Sequence, residues 1–121
     1  MRKRTALMVA GCLAVAFLAF ELLTPNYVTS VREAKELTLE EDLTAMRQVL
    51  KQYVLDKHQR PQSLHDLVAA GYIKQIPADP MTGRTDTWVL EWSSERDAPG
   101  IVNLHSGSSS KSRKGTLYSE W

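Results

Sequence analysis

The sequence predicts an α+β protein in which one long N-terminal helix, partly transmembrane, packs on a small antiparallel β-sheet. Three observations predict it. Residues 6–23 are almost wholly apolar and follow a basic cluster, Arg2, Lys3 and Arg4. Leu39, Leu43, Met46, Leu50 and Tyr53 recur at spacings of 4, 3, 4 and 3, which places them on one helical face. From residue 88 onward the chain breaks into short alternating runs separated by turn-forming residues, the pattern of strands. The division that follows is a basic leader and membrane-spanning helix over 1–23 and a head over 24–121. The head comprises a helical stalk at 28–57, a short helix at 64–70 and a small sheet at 88–121.

The N-terminal run satisfies the about 17–25 residues that a spanning helix needs. Its only charge is Glu21, near the outer end, where it can sit at the interface. The excess of cations before the run places Met1 to Arg4 in the cytoplasm and the rest of the chain on the far side. Three fates remain open for this segment. It is an uncleaved anchor, a cleaved secretory signal peptide, or a lipoprotein signal. The last rests on Val9-Ala10-Gly11-Cys12, in which the thiol of Cys12 is a candidate lipidation site. The short apolar stretch before Cys12 and the long one after it favour the anchor, with Cys12 as a small hydrophobe.

Pro25 and Asn26 are expected to interrupt or bend the helix, because proline removes a backbone donor and crowds the preceding turn. Thr38 with Glu41 three positions on resembles a capping box, an interior start or a kink. Apolar residues are sparse over residues 28–36, which are expected to project from the head. The stripe from Leu39 to Tyr53 is expected to pack against the head, and the helix to end at 56–58, since Pro61 disfavours a helical Arg60. Ser63 is a candidate N-cap with Asp66 three residues later, and Gly71 suits the left-handed conformation that stops a helix. An extended stretch over 72–76 and a turn-rich connection through Pro77, Asp79-Pro80 and Gly83 come next. Trp88-Val89-Leu90-Glu91-Trp92 alternates, residues 101–105 form a second strand, and residues 116–119 a third. Trp88, Trp92 and Trp121 are expected to complete the core with Leu39, Leu43, Met46, Leu50 and Tyr53.

Composition excludes several function classes. The 121 residues hold 15 basic and 14 acidic side chains, a net charge of +1, so no basic face for nucleic acid is implied. One cysteine permits neither an internal disulfide nor a zinc motif. His58, His65 and His105 lack metal-ligand spacing and read as surface or capping residues. His105-Ser106-Gly107 lacks the strand-to-helix setting of a nucleophile, and SGSSSKSRKG lacks P-loop order. That stretch reads as a solvated, mobile loop whose cations suit an acidic partner surface. No catalytic, cofactor or metal residues are predicted. The protein reads as a non-enzyme without small-molecule substrate or nucleic-acid partner.

Residues 34–121, roughly three quarters of the chain, carry a family resemblance in their motifs. Asp42-Leu43, Tyr53, Asp56, Arg60-Pro61 and the run GYIKQIPADP from Gly71 to Pro80 resemble the head of the major pseudopilin of bacterial type II secretion and related type IV pilin-like proteins. The VNLHSG stretch and the closing GTLYSEW are similar to a branch of the same group. The resemblance implies a pilin-like fold, a bacterial inner-membrane location with a periplasmic head, and a structural role in a short secretion filament. The partners it implies are membrane lipid and other pilin-like subunits. A non-polymerising periplasmic interaction module of the same fold, held by its helix or by lipid on Cys12, is the alternative. The sequence departs from the family twice. Gly11 is followed by Cys12-Leu13-Ala14 rather than by phenylalanine with an early glutamate, which the family's leader peptidase and fibre packing use. The stretch from Ser108 to Lys114 has cations where the family has a calcium-binding acidic loop, so no calcium site is expected there.

Overall fold

The computed structural model describes residues 2–121, except the side chains of residues 23–26. Helix α1 runs from Arg2 to Lys57, followed by helix α2 (Leu64–Ala69), strands β1 (Val89–Trp92) and β2 (Ile101–His105), and a 3-10 turn at Tyr118–Glu120. The chain forms two compact units, Met1–Ala34 and Lys35–Trp121. The architecture is α+β: a long N-terminal helix with a small antiparallel sheet, two-stranded among the described residues.

The break expected at Pro25 and Asn26 is not present: α1 is helical without interruption through both. A proline costs a helix one hydrogen bond and some local crowding, about 3 kcal/mol, which fifty-odd helical neighbours can absorb. Thr38 likewise lies inside α1 and starts nothing. The helix ends where expected. His58 takes φ 56° and its N–H donates to the Val54 carbonyl at 2.9 Å, an αL stop built from a residue other than glycine. That conformation is unfavourable for a side chain with a Cβ. His58→Gly is therefore expected to stabilise the head by about 0.5–1 kcal/mol, read as a higher urea midpoint at unchanged slope.

Helix α2 begins at the N-cap expected at Ser63, and the cap is a full capping box. The Ser63 Oγ accepts from the Asp66 N–H, and the Asp66 carboxylate accepts from the Ser63 and Gln62 N–H groups. It ends at Gly71, φ 81°, whose N–H returns to the Val68 carbonyl. The extended stretch expected over 72–76 is not strand but turn and coil.

Strands β1 and β2 pair antiparallel with Leu90 opposite Leu104, and the register shifts between Glu91 and Trp92. That shift accounts for one correction. Trp92 is 53 % exposed and outside the core, because the alternation that would hold it there depends on regular pairing past Glu91. A second correction concerns the third strand. Residues 116–119 contribute one bridge, Lys111 to Leu117, and then coil into the 3-10 turn, which drives Tyr118 into the core. Side chains take both main-chain groups of Leu104 in β2. Arg47 Nη2 donates to the Leu104 carbonyl at 3.1 Å, and the Leu104 N–H donates to Asn103 Oδ1 at 2.9 Å.

The core joins Leu39, Leu43, Met46 and Leu50 of α1 to Leu64, Leu67, Trp88, Ile101, Leu104 and Tyr118. Each such side chain removed from water contributes about 1.5–3 kcal/mol. Tyr53 and Trp121 pack at its margin, half-buried. Trp88, just ahead of β1, is buried with its indole N–H donating to the Pro77 carbonyl at 2.8 Å, so no polar group is stranded.

Candidate functional site

The N-terminal unit offers one surface with an evident physical consequence. Leu7, Leu13, Phe17, Leu18, Phe20 and Leu22 are each at least 60 % exposed, and Cys12 lies exposed among them. Segment and composition together make α1 a helix long and apolar enough to cross a membrane. In water so large an apolar surface is untenable, and a bilayer or a partner must cover it.

In the head the sequence-predicted packing residues converge as a stripe. Leu39, Leu43, Met46 and Leu50 are each no more than 3 % exposed. The stripe extends one step further than its apolar members. Glu36 precedes Leu39 by three positions and is itself 6 % exposed. Its Oε1 accepts from the Arg113 N–H at 3.0 Å and from the Tyr118 hydroxyl at 2.8 Å. Its Oε2 accepts from Arg113 Nε at 2.9 Å. Burial alone pushes this carboxyl upward. The hydrogen bonds from Arg113 and Tyr118 and the guanidinium charge outweigh burial and hold it at about 2. Residue 36 was expected to project from the head and residues 106–115 to be a solvated, mobile loop. The expectation for residue 36 is corrected, since a carboxylate in phase with the stripe draws Arg113 onto α1; the 106–115 loop stays largely exposed, with Ser106 and Ser112 buried. Ser112 is buried within that loop, and its Oγ bonds the Thr116 hydroxyl at 2.8 Å.

A second buried carboxylate holds the turn before β1. Asp79 is wholly buried. Its Oδ2 accepts from the Ser106 hydroxyl at 2.7 Å and the Gly107 N–H at 2.9 Å, and its Oδ1 from the Met81 N–H at 2.9 Å. Gly107 is obligatory there, because a Cβ would collide with the Thr87 carbonyl. On α1, burial, followed by the charges of Glu41 and Asp79, pushes Asp42 above the usual carboxylate range. Ser106 is thus committed to a structural carboxylate, while His105 bonds Glu91 and Trp121.

At the other end of the head, a cleft of about 490 Å³ separates the end of α1 from the 97–99 turn. Its principal cation, Arg60, donates to the Ser93 hydroxyl at 3.0 Å and to the Ala98 carbonyl. Gln62 Nε2 donates to the Pro99 and Arg60 carbonyls. The cleft is a seam closed by its own walls. Among the described residues no group of three or more His, Cys, Asp or Glu is placed to hold a metal ion, and no buried side-chain polar atom lacks a partner.

No protein-family profile, curated protein or solved structure matches the chain. The signal for Glu36 was present in the sequence as a carboxylate at a stripe position. Its partner, 77 residues away, had no local signal.

Proposed function

We propose that the protein is a pseudopilin-like structural subunit or assembly component of a type II secretion or type IV pilus-like system. It is anchored in the bacterial inner membrane by the first part of α1, with the N-terminus cytoplasmic and the head periplasmic. The observation that carries this reading is the single helix from Arg2 to Lys57. It is apolar and exposed where a bilayer or a fibre core would cover it, and stripe-packed where the head begins. The motifs from Asp42 to Pro80 and at the end of the chain add the pilin-like assignment. The role is architectural: both buried carboxylates are spent on holding loops to α1 and to the sheet.

The test starts from protein recovered from membranes. Intact mass and N-terminal sequencing are expected to show an unlipidated chain. A lipid-bearing N-terminus at Cys12 overturns the reading in favour of a tethered module. In a Cys12→Ala background, Val28→Cys or Val31→Cys, both exposed on α1, is expected to cross-link copies or neighbouring subunits in the membrane. An intact anchor that never cross-links there identifies a lone module and overturns assembly.

A further inference from the structure

We propose that His105 is a protonation-dependent clasp that fastens the 116–121 segment to the sheet. Both ring nitrogens face oxygen. Nδ1 is 2.8 Å from the Trp121 backbone oxygen, and Nε2 is 3.2 Å from Glu91 Oε2. A main-chain oxygen, carbonyl or α-carboxylate, and an ionised side-chain carboxylate are acceptors only. An imidazolium has two N–H donors and satisfies both, whereas a neutral imidazole has one and leaves a ring lone pair facing an oxygen. The geometry around His105 therefore matches the charged ring, and histidine is the side chain that ordinarily changes charge between about pH 5 and 8.

Two charged side chains face the ring from the elements packed on it, beside the main-chain oxygen of Trp121. Glu91 on β1 favours the cation. Arg47 on α1 opposes it, because its Nη2 donates to the same Trp121 oxygen at 2.6 Å. The carboxylate contacts the ring directly, while the guanidinium is separated from it by the shared oxygen. The side chains of His105 and Glu91 are 23 % and 56 % exposed, so protons reach the pair from solvent without any opening of the core.

What the clasp holds is connected onward. The Trp121 ring meets Tyr118 edge-on at 5.2 Å, its indole N–H donates to Thr116 Oγ1 at 3.0 Å, and Tyr118 bonds Glu36. A neutral ring keeps one N–H; the ionised Glu91, the stronger acceptor, retains it on Nε2, so the bond to Trp121 is the one lost, and Trp121 is held by Arg47 and its packing. The segment loosens from its end without leaving the head. The sign is definite: the segment is tightest at mildly acidic pH and loosens as pH rises.

Hydrogen exchange on the full chain in micelles tests this, read at the Glu120 and Trp121 amides, which donate to Leu117 and Tyr118. After correction for intrinsic exchange, protection is expected to fall about fivefold between about pH 5.5 and 7.5, the worth of roughly one hydrogen bond. The fall is expected to vanish in His105→Gln and to shrink in Glu91→Gln, which leaves the ring in place at a half-exposed position. It is expected to persist in His58→Gln/His65→Gln, which assigns it to His105. Protection that is flat in the wild type, or a fall that survives undiminished in both His105→Gln and Glu91→Gln, overturns the proposal.

Discussion

Asp79→Ala is expected to destabilise the head by about 4 kcal/mol, the largest effect of any single polar substitution here. Asp79 is fully buried and receives three donors, from Ser106, Gly107 and Met81. Alanine leaves all three without their acceptor, the Ser106 hydroxyl in a buried site and the Gly107 and Met81 N–H groups in part-buried ones, and each orphaned buried donor costs about 1–3 kcal/mol before relaxation. The damage reaches both sides of the sheet, since Met81 belongs to the turn before β1 and Ser106–Gly107 follow β2. Asp79→Asn keeps one acceptor oxygen and the side-chain volume, and is expected to lose about half as much. Urea unfolding of the full chain in micelles, followed by tryptophan fluorescence, measures both. An Asp79→Ala loss under about 1 kcal/mol would show that the donors find other partners, and with it that this carboxylate does not organise the turn.

The second large effect is at Glu36, where Glu36→Gln is expected to cost about 3 kcal/mol at neutral pH. The folded-state value is lowered from 4.5 to about 2. A group whose folded value is depressed contributes stability that is complete above its unfolded value and is lost as pH falls. The wild type should therefore lose this contribution as pH falls from about 4.5 toward 2, the interval between its unfolded and folded values. Glu36→Gln, with no charge to neutralise, should lack that component, so the two stability curves converge in acid. Parallel curves would exclude Glu36 as the source.

Much of the head was legible because it follows local periodicities. The α1 stripe, the Ser63 N-cap, the Gly71 stop and the second strand each depend on residues within a few positions of one another. The misses share a different cause. Pro25 was read from an intrinsic preference that helix length overrides. Trp92 was placed by an alternation that the register shift interrupts. Residues 116–119 looked like a strand, but Tyr118 reaches Glu36 only from a tighter coil. The Glu36–Arg113 pair links two segments that each look solvent-facing in isolation. Its one local trace is that Glu36 keeps step with Leu39 and Leu43, where a charge in an apolar row calls for a counter-charge.

The occupied Leu104 groups of β2 limit how copies of this chain can associate. A ribbon that grows by strand addition must accept a neighbour at both edges of its sheet. Here Arg47 and Asn103 use the carbonyl and amide of Leu104 in β2. A strand added at this point of β2 would first have to displace Arg47 and Asn103.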